Sequence, residues 1–184
     1  EQSVAAENAR IRQALDAVSA NVMIADADAN IIYMNESVAA MMKNAESDLR
    51  RDIPNFDSSR LVGQNMDQFH KNPAHQRSMV SALTETYKGK ISVAERHFAL
   101  IASPIVVDGE RIGTVVEWDD KTAEVTIERE IDSMLEAAMA GDFTQQLTLD
   151  GKQGFFADLS KGLNTLVSTM EVSLNDMLRM LGAM

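Results

Sequence analysis

The chain of 184 residues contains no cysteine, and this absence excludes several classes of site. Disulfides, thiolate zinc sites and iron–sulfur clusters all depend on cysteine sulfur. Aromatic residues are also scarce, with six Phe, two Tyr and a single Trp, Trp118. Twelve methionines add to the apolar volume, which indicates a core that packs adaptably.

Basic charge and long apolar runs are lacking as well. The formal net charge of −11 argues against a nucleic-acid partner and against docking on an anionic membrane surface. No stretch approaches the roughly 20 apolar residues that a membrane span requires, and the N-terminus has no signal-peptide core. We therefore expect a soluble, cytoplasmic segment without a membrane span.

Catalytic constellations are missing too. The sequence has no Gly-x-Gly phosphate cradle, no Ser-His-Asp set and no histidine–carboxylate spacing for zinc. An enzyme would need a nucleophile–base pair that the three histidines do not offer, so we predict that the protein is not an enzyme. Two of these histidines, His70 and His75, lie close together in FHKNPAHQR (69–77), around an Asn-Pro turn. The third, His97, begins a strand on the face opposite Phe98, and we assign it a structural role.

The pattern of apolar residues changes after Lys121, which predicts two domains. Residues 1–20 form an N-terminal helix, residues 21–122 the first domain and residues 123–184 the second. The first domain reads as two strands, several helices and three further strands. This order is typical of an α+β fold with an antiparallel sheet and helices on one face, in which the second and third strands need not be neighbours. The predicted strands are 21–26, 30–35, two within 90–107 and 111–120; the predicted helices are 3–18, 36–50 and 75–89, the last of them ended by Gly89.

The last domain reads as a helix over 122–140, a break at Gly141-Asp142, a polar connector and a helix over 155–181. Apolar residues of the second helix recur every seven positions, which is a coiled-coil pattern. One core position holds Phe156, Leu163, Met170 and Met177, and the other holds Leu159, Leu166, Ser173 and Met180. We predict a parallel homodimer; the alternative is that these helices fold back on the α+β domain.

Residues 10–122 resemble a PAS domain of bacterial chemoreceptors of the methyl-accepting chemotaxis protein family. The resemblance rests on LDAVSANVMIADADANIIYMN, LVGQNMDQFHKNPAHQR and RHFALIASPIVVDGERIGTVVEWDDKT. The stretch AAMAGDFTQQLTLDGKQGFFADLSKGLNTLV is similar to a HAMP-type module. The resemblance implies a five-stranded PAS sheet followed by a dimeric HAMP helical pair, which acts on the chemotaxis signalling machinery.

The first domain is similar, within that family, to the haem-binding PAS domains of soluble aerotaxis-type receptors. That likeness implies haem b, with His70 or His75 as axial ligand and Trp118 as hydrogen-bond donor to a diatomic gas such as O₂. We predict His70 as the metal ligand, because the turn at Pro73 would hold it stiffly. The other predicted cofactor-binding residues are Phe69, Leu100 and Val116.

Other interpretations of the first domain stay open. The PAS domain could bind flavin or another small ligand, or none, and serve as a redox sensor or a dimerising relay. His70 would then be a helix-cap residue, His75 would be solvated, and Trp118 would cover the outside of the sheet. In the haem interpretation, the gas signal passes from Trp118 to Asp120 and Thr122, which resemble the Asp-x-Thr junction that leads into a signalling helix.

Overall fold

A computed structural model describes residues 2–183, the side chain of Gln2 excepted, and divides the chain into two compact units. One unit ends at Lys121 and the other begins at Thr122. The predicted bounds at residues 1 and 184 lie outside the described residues. Within the described residues, no helix is both long and apolar enough to cross a membrane.

The first unit is built around a five-stranded antiparallel sheet with the strand order β2-β1-β5-β4-β3. The predicted antiparallel α+β architecture is therefore confirmed, and β2 and β3 lie at opposite edges. The elements in chain order are α1 (Gln2–Ala17), β1 (Asn21–Asp26), β2 (Ile31–Met34), α2 (Glu36–Asp52), two 3₁₀ helices (Ser58–Arg60 and Met66–Phe69), α3 (Pro73–Ser81), β3 (Tyr87–Val93), β4 (Arg96–Val107) and β5 (Glu110–Asp120).

The predicted helix over 75–89 is wrong in its second half. The structure ends α3 at Ser81 and makes Tyr87–Val93 an edge strand. Gly89 therefore does not stop a helix; it pairs with Leu100 of β4 inside the ladder. Seven consecutive residue pairs join β3 to β4, and this long-range pairing outweighs the local helical pattern of the segment.

The main hydrophobic core lies between α2 and one face of the sheet. Helix α2 places an apolar stripe at helical spacing toward the sheet, with the buried residues Val38, Met42, Ala45 and Leu49. These side chains form one cluster with Met23, Ile31 and Phe98 of the strands. We refer to this side of the sheet as the covered face; it includes Trp118, which packs against the same cluster.

Asn35 fixes the start of α2 from a fully buried position. Its Oδ1 accepts hydrogen bonds from the backbone N–H groups of Val38 and Val22, at 3.1 and 3.0 Å. Its Nδ2 donates to the carbonyl oxygens of Leu15 and Ala20, at 2.9 and 2.7 Å. One amide thus joins α1, β1 and α2, and because all its donors and acceptors are used, its burial costs little.

Helix α1 contacts β2 through a tyrosine. The Tyr33 hydroxyl donates to Asp16 Oδ1 at 2.7 Å. Burial, followed by this hydrogen bond and the nearby Asp16 charge, raises the pKa of Tyr33 to about 12. The phenol therefore stays protonated at neutral pH and holds α1 against the edge strand.

The second unit consists of α4 (Thr122–Met139), a connector and α5 (Gly154–Gly182). Both predicted helices are present. The two helices and the connector share a small core, made by the buried residues Met134, Leu147 and Val167 with Ile131, Phe143 and Leu163 packed against them. The Asn164 side chain accepts from Leu147 N–H at 2.7 Å and donates to Leu147 carbonyl oxygen at 2.9 Å, which fastens the connector to α5.

Candidate ligand-binding site

His70 follows the 3₁₀ helix Met66–Phe69 and is half-buried. Its ring Nδ1 lies 2.8 Å from the carbonyl oxygen of Met66. A carbonyl oxygen can only accept, so Nδ1 carries the proton in this hydrogen bond. The neutral ring then keeps the lone pair of Nε2, which is the form of imidazole that ligates a metal.

The 3₁₀ helix that carries His70 is anchored to the β1–β2 hairpin. Met66 N–H donates to Ala29 carbonyl oxygen at 2.9 Å. The Asn65 side chain donates to Asp28 carbonyl oxygen and to Asn30 Oδ1, both at 2.9 Å. Because the anchoring bonds involve backbone and short side chains, the Met66 carbonyl and the His70 ring are held in a defined position.

Asp26 stiffens the same hairpin. Its carboxylate accepts from the Asn30 side chain at 3.0 Å and from the backbone N–H groups of Asn30 and Asp28, at 2.9 and 3.0 Å. The hydrogen bond from the Asn30 side chain is the main reason that the pKa of Asp26 lies below its usual value. Asp26 is thus a turn-forming carboxylate.

His75 has a different environment from His70. Its side chain is exposed on the first turn of α3, and its backbone N–H donates to Asn72 Oδ1, which caps that helix, at 3.3 Å. An exposed imidazole offers a ligand little protection from water. The burial of the two rings therefore favours His70 over His75 as a ligand residue.

Trp118 lies on the covered face of β5, directly opposite Leu100 of β4. Its ring packs edge-on against Phe98, with 5.7 Å between ring centroids and an interplanar angle of 84°. Its Nε1–H is buried and has no hydrogen-bond partner within residues 2–183. A buried donor without a partner costs about 1–3 kcal/mol, so this N–H is suited to donate to a ligand.

The other predicted lining residues occupy the covered face or its border. Val116 is buried two positions before Trp118 and pairs with Ala102, while Leu100 is half-buried. Phe69 packs edge-on against Phe56, with ring centroids 6.0 Å apart. The structure thus places Phe69 in the core cluster, and its contact with a ligand stays a prediction.

His97 lies on the sheet face opposite Phe98, as strand alternation predicts. Its Nδ1 is 2.8 Å from the Ser92 hydroxyl across the β3–β4 pair. Its carbonyl oxygen accepts from Lys121 N–H at 2.7 Å. Because Trp118 is on the other face, this histidine lies away from the candidate site.

The donor set fits a haem better than a metal held by protein alone. In the part of the chain that the structure describes, no group of three or more His, Asp or Glu residues could hold a metal ion. A porphyrin supplies four nitrogen ligands itself and needs one imidazole from the protein. Among the described residues, His70 offers Nε2 as a lone-pair donor, and Trp118 offers a buried N–H without a partner beside apolar side chains.

Residues 9–73 match the PAS domain family. The structure also superposes on a solved structure of the Aer2 receptor from Vibrio cholerae, which is described as a dual PAS-heme oxygen sensor, with a TM-score of 0.52 and 35% identity. That match covers 55% of this chain and 93% of the other chain. This chain belongs to the PAS domain family.

A longer relative is similar along nearly the whole sequence. The chain is 50% identical over 183 residues to the methyl-accepting chemotaxis protein McpB of Pseudomonas aeruginosa. The match covers 99% of this chain and 27% of McpB, so the chain spans about a quarter of the length of that relative. The similarity extends through the PAS domain into the helical unit that follows it.

Apolar side chains of the PAS domain pack together on the covered face. Surface grooves of about 600 Å³ and 420 Å³ lie elsewhere, along α5 and beside α2 respectively, and neither is lined by His70 or Trp118. A ligand of porphyrin size would occupy space that apolar side chains now fill, including Phe98 and Met66. Binding of such a ligand would therefore require these side chains to move apart, and the flexible methionines would make that rearrangement easier.

Arg96 joins the end of the PAS sheet to α2, a contact that the sequence did not reveal. Its guanidinium contacts Asp48 at 2.7 Å and Asp120 at 3.1 Å, and it donates to Asn44 carbonyl oxygen at 3.3 Å. The Arg96 side chain is only 17% exposed, so salt and water screen these ion pairs less than pairs on the surface. Asp120, predicted as a junction residue, is thus held two residues after Trp118, and α4 begins at Thr122.

Two partners of the predicted site residues were not expected from the sequence. The Met66 carbonyl fixes the tautomer of His70, and Phe98 supports the Trp118 ring. A weak signal existed for each. Met66 precedes His70 by four residues, the spacing of one helical turn, and Phe98 alternates with Leu100 on the same strand face.

Proposed function

We propose that this PAS domain binds haem b through His70 and senses O₂ or a related diatomic gas. The observation that carries the proposal is the buried N–H of Trp118 on the covered face, which has no hydrogen-bond partner in the described part of the chain. The Vibrio cholerae receptor is described as a PAS-haem oxygen sensor, which supports the same role here.

The haem would supply an iron that binds a diatomic gas reversibly, and the residues of this chain would do the rest. His70 Nε2 would provide the lone pair that holds the iron, and the Met66 carbonyl keeps the proton on Nδ1. The Trp118 N–H is the donor to a polar gas ligand. Leu100 and Val116, with Phe69, exclude water from the ligand, which strengthens that hydrogen bond.

The signal would leave the PAS domain through the end of β5. A hydrogen bond made by Trp118 pulls on the strand two residues before Asp120, which Arg96 ties to Asp48 of α2. A small shift of the strand therefore changes an ion-pair network directly before the start of α4 at Thr122. A network of this kind, coupled to a helical element with two arrangements, is how local ligand contacts become switches.

We further propose that residues 123–184 act as a HAMP-type module in a parallel homodimer, within a cytoplasmic, non-enzymatic chemoreceptor segment. The name of the relative McpB supports an output to the chemotaxis machinery. The dimer is supported by apolar side chains of α5 that one chain leaves exposed. These include Leu166, Met170, Met177 and Met180.

The absorption spectrum after reconstitution with hemin tests the proposed cofactor. We expect a Soret band that saturates at one haem per chain and shifts when O₂ or CO is added to the reduced protein. A flavin band in protein purified without added cofactor would support the redox-sensor alternative. If neither a Soret band nor a flavin band appears, the haem proposal is rejected. The PAS domain would then be a relay without a cofactor.

Met170→Asp is expected to shift the protein from dimer to monomer. Met170 is 44% exposed in one chain, so a charge there is harmless to the monomer but is buried without a partner in the dimer, at a cost of several kcal/mol. Sedimentation velocity measures the shift. Asn175→Asp, which adds the same charge away from the stripe, is the matched control. An unchanged dimer in Met170→Asp would place the association surface elsewhere.

The choice of residue for this test depends on the structure. Leu163, at the same heptad position as Met170, packs in the core that α4, α5 and the connector share, so a charge there would also disrupt the single chain. The absence of native cysteine allows a test of orientation. In a parallel dimer Met177→Cys should form an intermolecular disulfide under mild oxidation, whereas antiparallel helices would keep the two thiols apart.

A further inference from the structure

We propose that Arg111, together with Thr114, binds a carboxylate of the ligand on the covered face, which for haem is a propionate. The inference rests on the proposed haem function and adds a second anchor to it, separate from the iron ligand. No residue pattern in the sequence pointed to Arg111, and its role follows from its contacts.

Arg111 is half-buried, and its guanidinium has an unused hydrogen-bond donor whose nitrogen atom, Nε, is buried. One of its amino groups donates to the Thr114 hydroxyl, and Thr114 is 2% exposed. Its Nε–H is buried and has no hydrogen-bond partner among residues 2–183. The guanidinium stays charged and carries five N–H donors in a planar arrangement. Within the described residues the Nε–H therefore has no acceptor, and an oxygen atom of a ligand would provide one.

The described residues also provide Arg111 with no ion-pair partner, in contrast to Arg96, which pairs with Asp48 and Asp120. Even a partly buried guanidinium loses some of its hydration, and a counter-charge offsets that loss. A carboxylate matches the geometry of the guanidinium, because two parallel N–H···O bonds can form at once. The missing partner of Arg111 is therefore best supplied by an anionic group of a ligand.

The position of Arg111 agrees with a ligand that extends from Trp118. Thr114, Val116 and Trp118 alternate along the covered face of β5, so Thr114 and Trp118 are about 13 Å apart along the strand. Arg111 lies just after the β4–β5 turn, where a register shift in the ladder leaves Ile112 unpaired with β4. Arg111 thus lies at one end of an apolar face of β5, and Trp118 lies at the other end.

The β1–β2 hairpin brings the histidine segment to the same end of the sheet. Thr114 pairs with Ala25 of β1, and the hairpin that follows Ala25 holds the 3₁₀ helix before His70 through the bond from Met66 N–H to Ala29. An apolar face with a cation at its border suits a flat apolar molecule that bears carboxylates. A diatomic gas has no such group, so Arg111 would hold the cofactor and would leave gas recognition to Trp118.

Hemin and its dimethyl ester, in which both propionates are esterified, provide the test. The rate of porphyrin loss to an excess of apomyoglobin is measured for each porphyrin in the wild type, Arg111→Gln and the control Arg60→Gln, whose side chain is 79% exposed. We expect wild type to lose the ester about 10- to 150-fold faster than hemin, the ratio that a charge-assisted hydrogen bond gives. Arg111→Gln should lose hemin faster by a similar factor and no longer distinguish the two porphyrins.

Each outcome of this experiment has a defined meaning. If the wild type retains hemin and its ester equally well, the inference is overturned. It is also overturned if folded Arg111→Gln keeps the wild-type ratio of the two loss rates. Arg111→Lys, which keeps the charge without the planar donors, should recover part of the ratio. If the wild type shows no Soret band with hemin, the proposed function itself fails, and the inference fails with it. If the wild type shows a Soret band but retains hemin and its ester equally well, only the Arg111 inference fails and the proposed haem function stands.

Discussion

Trp118→Phe is expected to retain haem and to lose O₂ affinity by about 10- to 150-fold. The indole N–H is buried and has no partner among the residues that the structure describes, and an O₂ ligand carries partial negative charge that makes a hydrogen bond to it charge-assisted. Such bonds contribute about 1.5–3 kcal/mol, which corresponds to this range of affinity. Phenylalanine preserves an aromatic ring against Phe98 but has no donor. Equilibrium titration of the reduced protein with O₂ measures the loss.

CO affinity is the internal control for this substitution. CO is less polarised than O₂, so its affinity should change much less in Trp118→Phe. Phe98→Leu removes the aromatic contact and keeps the donor, so the ratio of the O₂ and CO affinities should stay close to that of the wild type. Equal O₂ affinities in the wild type and Trp118→Phe would show that the indole makes no hydrogen bond to the gas. The proposed path to Asp120 would then lose its starting point.

His70→Ala is expected to abolish stoichiometric haem binding. The ring is half-buried, and its Nδ1–H is held by the Met66 carbonyl, which leaves Nε2 as the ligand atom. His75→Ala is the matched control, because it removes an exposed imidazole from the same segment. Titration with hemin, followed by the Soret band, should saturate at one haem per chain in the wild type and in His75→Ala but not in His70→Ala.

Free imidazole distinguishes a ligand role of His70 from a structural one. Removal of the side chain leaves space beside the Met66 carbonyl, and added imidazole should restore the Soret band of His70→Ala if the lost atom is Nε2. A merely structural histidine would not be replaced in this way. Equal Soret bands in the wild type and His70→Ala would reject His70 as ligand, and loss only in His75→Ala would transfer the role to that residue.

Much of the fold can be predicted from local patterns in the sequence. The Asp108-Gly109 dipeptide predicts a tight hairpin turn, and both residues adopt the positive φ angles that such a turn demands, 51° and 79°. The amphipathic pattern of α2 and the alternation of β5 also appear as predicted. These features depend on neighbours within one turn or one strand, so the sequence contains the information that they need.

The segment from Ala82 to Gly89 shows where local patterns fail. Its sequence is compatible with a helix, but the energy that decides its conformation comes from pairing with β4 and not from neighbours within one helical turn. The same limit applies to Trp118. Alternation predicts that Trp118 shares a face with Val116, but only the packing of α2 against the sheet decides which face is covered.

Sequence alone establishes the absence of thiol chemistry, the order of most elements, the candidate ligands His70 and His75 and the single indole that could act as a donor. Only the folded chain shows that His70 is half-buried with Nδ1 on a carbonyl, that Trp118 is on the covered face, and that Arg111 lacks a partner for its Nε–H within the described residues. The physical reason is that burial and hydrogen-bond satisfaction are properties of groups brought together from distant parts of the chain. Composition and spacing name the groups that can act, whereas packing alone determines which of them are left with unused donors or lone pairs.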